Sequence, residues 1–360
     1  MRPRKPKAAG RGAQQDPPNR FLSIRVEETF DDRDDDEDLR ADRRVVPTEF
    51  LPDRSRTILS ENDSPDVPFR YSINAYRGCE HGCAYCYARP THEMLGLGAG
   101  LDFETKILVK HEAPALLRRE LAKPGWTAET IAMSGVTDCY QPAERRFRLT
   151  RGLLEVLSEA NQPVGIITKN ALLTRDLDLL ASMAARRLVH VYLSVTTLDA
   201  ELARTLEPRT SPPRAKLAAI KSLSDAGVPV GVMAAPVIPG LTDHETPAIL
   251  QAAREAGACT AGYTLLRLPL NVEPIFRDWL AAHAPDRQSR IESLIRSTRE
   301  GKLNDSQFGR RMRGQGEYAA QIAQNFAVFR RKHGLDQPLP EFDRSQFQPP
   351  RAASGQMTLF

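Results

Sequence analysis

Three of the chain's five cysteines, Cys79, Cys83 and Cys86, fall within the stretch YRGCEHGCAYCYARP (76–90), in a C-x3-C-x2-C spacing. Cys139 and Cys259 lie far off in sequence. Three thiolates on one short loop can grip three corners of a cubane iron–sulfur cluster. The fourth iron is then without a protein ligand and open to a small molecule. Zinc is the alternative, held by the same thiols with His81 or His92 as fourth ligand. Zinc sites more often read as two separated C-x2-C or H-x3-H pairs, and this sequence carries one triplet without a second knuckle. The spacing favours the cluster and leaves zinc open.

Such a loop needs a rigid scaffold, and the bulk numbers allow one. A chain of 360 residues with 41% hydrophobic residues can build a sizeable core. A formal charge of +4 is small for this length and does not by itself argue for nucleic acid. The opening MRPRKPKAAG has no apolar segment of the secretory kind, and no run approaches the length of a membrane span. A cytoplasmic protein without membrane contact is expected. In a reducing compartment, clustered cysteines hold metals or do chemistry more often than they form disulfides.

Residues 1–65 are expected to lack fold, since a basic opening gives way to the charged run DDRDDDEDLRADRR. From 66 to 290, short β-rich runs alternate with helical patterns. The strands are read at 69–76, 130–136, 163–168, 188–197, 228–238 and 259–268, the helices at 111–122, 148–160, 174–186, 213–226, 244–256 and 273–283. Gly227 and Gly257 are natural helix stops. The near-continuous Val/Ile/Ala strands suit a sheet buried on both faces. Six βα units imply a partial (β/α)6 barrel. A basic helical extension (291–335) and a Pro/Gln/Ser-rich, disordered tail (336–360) follow.

In a parallel βα barrel the working groups sit at the C-terminal ends of the strands. The cysteine loop follows the first strand. Strand two runs into TDCYQPAE, with Thr137, Asp138, Cys139, Tyr140 and Glu144; strand three ends in Lys169-Asn170. Strand four carries Ser194, Thr196 and Thr197, "EPR" brings Glu207 and Arg209, and strand five runs into PVIPGLTD.

The cysteine spacing, with an aromatic residue (Tyr85) before the third cysteine, resembles the signature loop of radical SAM (S-adenosylmethionine) enzymes. The resemblance implies a 4Fe-4S cluster on Cys79, Cys83 and Cys86 whose open iron chelates S-adenosylmethionine. An electron from an external donor then cleaves the sulfonium to methionine and a 5′-deoxyadenosyl radical, which abstracts hydrogen from a substrate. By the same resemblance Lys169 and Ser194 are candidates to hold the cofactor's carboxylate, with Thr137 and Asp138 nearby and Arg209 in reserve. Val237 and Ile238 would form the ledge under adenine, with Tyr85 as its other wall. Within the superfamily, residues 70–230 are most similar to the spore photoproduct lyase branch, which repairs a thymine dimer in DNA. The lyase's hydrogen-donating cysteine sits three residues before the aspartate. Gly135 stands there in this chain and Cys139 follows Asp138, so the lyase reaction itself does not carry over. Cys139 is a candidate relocated donor; a packed, inert thiol is the plainer account.

The chain closes on QMTLF, which resembles the pentapeptide by which bacterial proteins dock on the DNA-polymerase sliding clamp. Leu359 and Phe360 would anchor in an apolar pocket and Gln356 would orient them. The sequence thus reads as a radical SAM enzyme acting on nucleic acid, DNA favoured. Two alternatives stand beside it: a radical enzyme acting on a peptide, tRNA or small molecule, and a non-enzymatic iron–sulfur or zinc redox or adaptor module.

Overall fold

The computed structural model describes residues 7–22 and 43–351. Six strands, β1 (Tyr71–Ile73), β2 (Ile131–Met133), β3 (Val164–Thr168), β4 (Val189–Ser194), β5 (Val230–Val237) and β6 (Thr260–Leu265), lie side by side in chain order. Every adjacent pair is parallel. The antiparallel strand Leu59–Glu61 covers the outer edge of β1. On the other edge, Ala261 N of β6 donates to Leu335 O (3.0 Å) and Leu265 N to Met312 O (2.9 Å). The sheet therefore ends on each side in a covered edge, as a partial barrel must.

Val164, Ile166, Val189, Val191, Leu193 and Val232 are fully buried, because helices pack over the strands that carry them. Those helices are Ala113–Leu121, Leu149–Glu159, Leu177–Ala185, Pro213–Asp225, Thr246–Glu255 and Val272–His283, close to the expected spans. Gly227 (φ 75°) and Gly257 (φ 101°) stop two of them in the left-handed conformation that side chains disfavour.

Three expectations change. The first strand is shorter than read: β1 stops at Ile73, and the chain pairs again as Tyr76–Arg77, antiparallel to Lys106–Val109, which runs parallel to Glu49–Pro52. The cysteine loop thus leaves from a small three-stranded sheet beside the barrel. Secondly, residues 8–20 and 43–65 are ordered where no fold was expected: Glu49–Pro52 and Leu59–Glu61 are strands, and residues 11–13 bond to Glu104 behind the cysteine loop. The reason is chemical: the contacts of residues 8–20 are made by backbone amides and polar side chains such as Arg11, Asp16 and Asn19, which hydropathy does not register. Thirdly, the tail between 336 and 351 is packed rather than loose. It crosses the N-terminal ends of β3 and β4, where Phe342 stacks on His190 at 3.9 Å, Asp343 N donates to Arg187 O and Gln348 N to Ala160 O. Gln356, Leu359 and Phe360 lie outside the described residues.

Candidate active site

The cysteine loop is tied down from several elements. Cys79 N donates to Phe103 O (2.8 Å), Ala84 N to Leu206 O (3.0 Å), and Glu80 N to Gln141 Oε1 (2.9 Å), while Gln141 Nε2 returns a bond to Gly78 O (3.1 Å). Gly78 (φ 81°) and Gly82 (φ 66°) both need the left-handed region, and a Cβ on Gly82 would lie 2.7 Å from Glu104 Oε2. The fully buried Arg89 donates to Cys83 O from Nε (3.1 Å) and Nη2 (2.8 Å), and pairs with Glu104 at 2.6 Å.

All three thiols are free and largely buried, and burial pushes each of them up as an acid. Three free thiols on one short loop, braced by backbone bonds to Phe103 and Leu206, are the soft donor set that an iron–sulfur cluster takes. The residues present therefore fit that group.

Of zinc's two candidate fourth ligands, His81 is already engaged, and His92 keeps only its buried Nδ1 without a partner. Asn170 Nδ2 donates to His81 Nε2 (3.1 Å), so the ring's lone pair is spent there and its proton faces Asp138 from Nδ1 (3.5 Å). His92 turns Nε2 to Lys106 O (3.0 Å) and packs edge-on against Phe103. Among the described residues no three His, Cys, Asp or Glu side chains gather closely enough to chelate one ion.

Around the loop, Tyr85 packs in one apolar cluster with Cys83 and Ile238. Its hydroxyl donates to Glu207 and lies 3.2 Å from Thr196 Oγ1. Val237 O accepts from Leu266 N (3.0 Å) and Ile238 N donates to Thr242 Oγ1 (2.9 Å), so this ledge is rigid. Lys169 Nζ lies 5.5 Å from the Tyr85 ring centroid. It reaches Thr196 Oγ1 (3.1 Å), Ala235 O (2.9 Å) and Glu207 Oε1 (2.9 Å), which uses all three N–H groups. A direct hold on a cofactor carboxylate thus requires Lys169 to release one partner. Arg209 pairs with Glu80 (3.1 Å) and its backbone N donates to His81 O. Ser194 is buried at the end of β4, level with Met233 of β5.

Thr137 and Asp138 brace the loops. Thr137 Oγ1 donates to Tyr76 O (2.9 Å), and Asp138 accepts from Thr168 Oγ1 (2.7 Å) and Lys169 N (2.8 Å). Cys139 is 4% exposed and belongs to the main hydrophobic core, a different cluster from those holding Cys79, Cys83 and Cys86. Burial raises its thiol well above the usual value. Its side chain packs in that core, although Thr137 and Gln141 on either side of it bond to the cysteine loop. Gln141, Arg89 and Glu104 were missed on sequence; no periodicity marks them, since each acts through backbone carbonyls or amides outside its own element.

Comparison with known proteins agrees with this architecture. The family description "Radical SAM superfamily" matches residues 73–253, half of the chain. An uncharacterized protein of Mycobacterium tuberculosis is 42% identical over 232 residues, 64% of this chain and 68% of that one. An uncharacterized protein of Methanocaldococcus jannaschii is 31% identical over 176 residues, 49% of this chain and 63% of that one. Among solved structures, spore photoproduct lyase complexed with dinucleoside spore photoproduct has the same fold. The TM-score is 0.55 at 16% identity, over 79% of each chain. A variant of that lyase with bound AdoMet and the dinucleoside gives 0.55, over 79% of this chain and 78% of that one. The non-enzymatic module is thereby set aside: the chain belongs to the radical SAM superfamily and is a radical SAM enzyme, with a 4Fe-4S cluster and S-adenosylmethionine as its cofactors.

Proposed function

We propose that this enzyme abstracts hydrogen from a nucleic-acid substrate, damaged DNA in the first place. Cys79, Cys83 and Cys86 would hold the cluster, which supplies the reductive cleavage of S-adenosylmethionine to a 5′-deoxyadenosyl radical. Tyr85, Val237 and Ile238 would flank the adenine. Arg209 is the readier cation for the cofactor's carboxylate, with Lys169 available once it releases a partner, and Ser194, Thr137 and Asp138 line or brace the same end of the strands.

One observation carries the substrate class. Tyr87, immediately after Cys86, is 49% exposed, and the Arg267 guanidinium at the end of β6 stands 5.5 Å from its ring. The basic segment GRRMRG (309–314) comes to the same place: Met312 Sδ is 3.8 Å from Arg267 Nη1, and Arg311 lies 4.5 Å over the exposed Phe308 ring. Arginines interleaved with exposed rings suit phosphates and stacked bases, and Arg311, which here pairs with Asp66, would exchange that partner for a phosphate. What the neighbouring lyase structures hold, a dinucleoside, is consistent with this reading.

The test is anaerobic reconstitution, reduction with S-adenosylmethionine, and assay of 5′-deoxyadenosine with and without ultraviolet-damaged DNA. Formation that is lost in Cys83→Ala and rises with DNA supports the proposal. Stimulation by tRNA or a peptide, with none by DNA, would replace the substrate class. The proposal extends to a sliding-clamp contact through Gln356, Leu359 and Phe360. The packed tail to residue 351 crosses the N-terminal ends of the strands, so docking from there would leave the cysteine face free.

A further inference from the structure

We propose that the N-terminal arm, residues 8–20, is a clasp that positions the cluster-binding loop, with Arg11 and Gly12 as its positioning residues. The arm enters the ligand loop by two routes. On the Cys83 side, Gly12 N (3.0 Å) and Ala13 N (2.7 Å) donate to the two oxygens of the buried Glu104, whose partner Arg89 holds Cys83 O. Gly12 also lies so close to the loop that a Cβ on it would stand 1.7 Å from Gly82 O. On the Cys79 side, Arg11, only 5% exposed, spreads its guanidinium over three acceptors: Glu104 O (2.8 Å), Val46 O (2.8 Å) and Thr48 Oγ1 (2.9 Å). Thr48 Oγ1 in turn donates to Glu80 Oε1 (2.9 Å), next to Cys79.

The rest of the arm is anchored elsewhere. Asp16 Oδ1 accepts from Gly100 N (2.9 Å) and Asp102 N (3.1 Å), and Gln15 Nε2 reaches Asp278 on helix Val272–His283 (3.0 Å). Asn19 donates to Glu93 O and Leu97 O, and Arg20 Nε pairs with Glu93 at 2.8 Å. The clasp therefore spans from the loop carrying the thiols to the last helix of the barrel.

Ala8 and Ala13 are the buried apolar side chains of residues 8–20, and neither belongs to the three hydrophobic core clusters, so those clusters close without the arm. What the arm completes is the hydrogen bonding behind the thiols. Groups in that position orient metal ligands, and their loss costs about 10- to 100-fold in metal affinity or activity. The arm thus acts on cluster retention rather than on the core.

The experiment uses the full-length, anaerobically reconstituted holoenzyme and reads iron release to EDTA, the electron paramagnetic resonance spectrum of the reduced cluster, and the thermal midpoint. Gly12→Val, whose side chain collides with Gly82 O, and Arg11→Gln are each expected to release iron about tenfold faster at an unchanged midpoint. Both should alter the spectral change that S-adenosylmethionine causes. Arg11→Lys, which keeps the charge without the three-acceptor fork, should release iron as fast as Arg11→Gln. Lys221→Ala, an exposed site on helix Pro213–Asp225, should match the native enzyme. Iron release within twofold of native in both Gly12→Val and Arg11→Gln would overturn the proposal. So would acceleration that merely tracks a lowered midpoint.

Discussion

Glu207 is gripped by two lysines: Lys216 Nζ stands 2.8 Å from Oε2 and Lys169 Nζ 2.9 Å from Oε1. Burial alone would raise this carboxyl, yet Lys169 and Lys216 hold it well below the usual carboxylate range. A depressed folded value means the stabilisation is present above about 4.5 and is lost as pH falls through the folded value. Glu207→Gln leaves two buried ammonium groups facing each other. Breaking a buried pair in this way costs about 3 to 5 kcal/mol, to be measured by denaturant titration at neutral pH. A loss under about 1 kcal/mol would mean that water, not Glu207, solvates the lysines.

A second pH effect has its own window. Burial lowers His92 from 6.5 to about 4, only partly countered by its bond to Lys106 O. The unfolded chain therefore takes up the proton first. His92 contributes fully above pH 6.5, and its contribution drains away as pH falls to about 4, by about 3 kcal/mol at about 1.4 kcal/mol per decade. Stability of the cluster-free protein at pH 7, 5 and 4 should show this slope, and His92→Gln should flatten it. An equal slope in the variant would assign the effect to other groups.

The barrel was legible in the sequence because its signals are local. Strands such as Val164–Thr168 are continuous apolar runs, and Gly227 and Gly257 mark helix ends. The three cysteines stand out in the sequence because their spacing itself suggests a chemistry. Their surroundings do not. Glu104, Arg89 and Gly12 meet only in three dimensions, through backbone groups that look alike in every sequence. The arm was misjudged for the same reason: its stabilisation is polar and long-range, whereas composition reports apolar content.

The C-terminal pentapeptide makes a prediction independent of the chemistry. Removing QMTLF should abolish retention on an immobilised bacterial sliding clamp while 5′-deoxyadenosine formation stays within twofold. Leu359→Ala with Phe360→Ala should behave like the deletion, since those two side chains would fill the pocket. Retention that survives both changes would reduce the tail to a coincidence of five residues.

The resemblance to the lyase branch places a donor thiol at position 135, where this chain has Gly135, and not at Cys139. A Cβ on Gly135 would stand 3.0 Å from both Cβ and Oγ of Ser72, while Gly135 O accepts from Tyr87 Oη (3.0 Å). A thiol at 135 thus meets a crowded wall, and the thiol the chain does possess is packed in the core. Cys139→Ala should therefore cost only about 1 kcal/mol of stability and leave both cofactor cleavage and substrate turnover within twofold. Should turnover vanish while 5′-deoxyadenosine still forms, Cys139 is the hydrogen donor after all, and the core must open to expose it. Deuterium uptake into product from solvent distinguishes the cases. A thiol donor exchanges with the medium and carries label, whereas return of the original hydrogen from 5′-deoxyadenosine carries none.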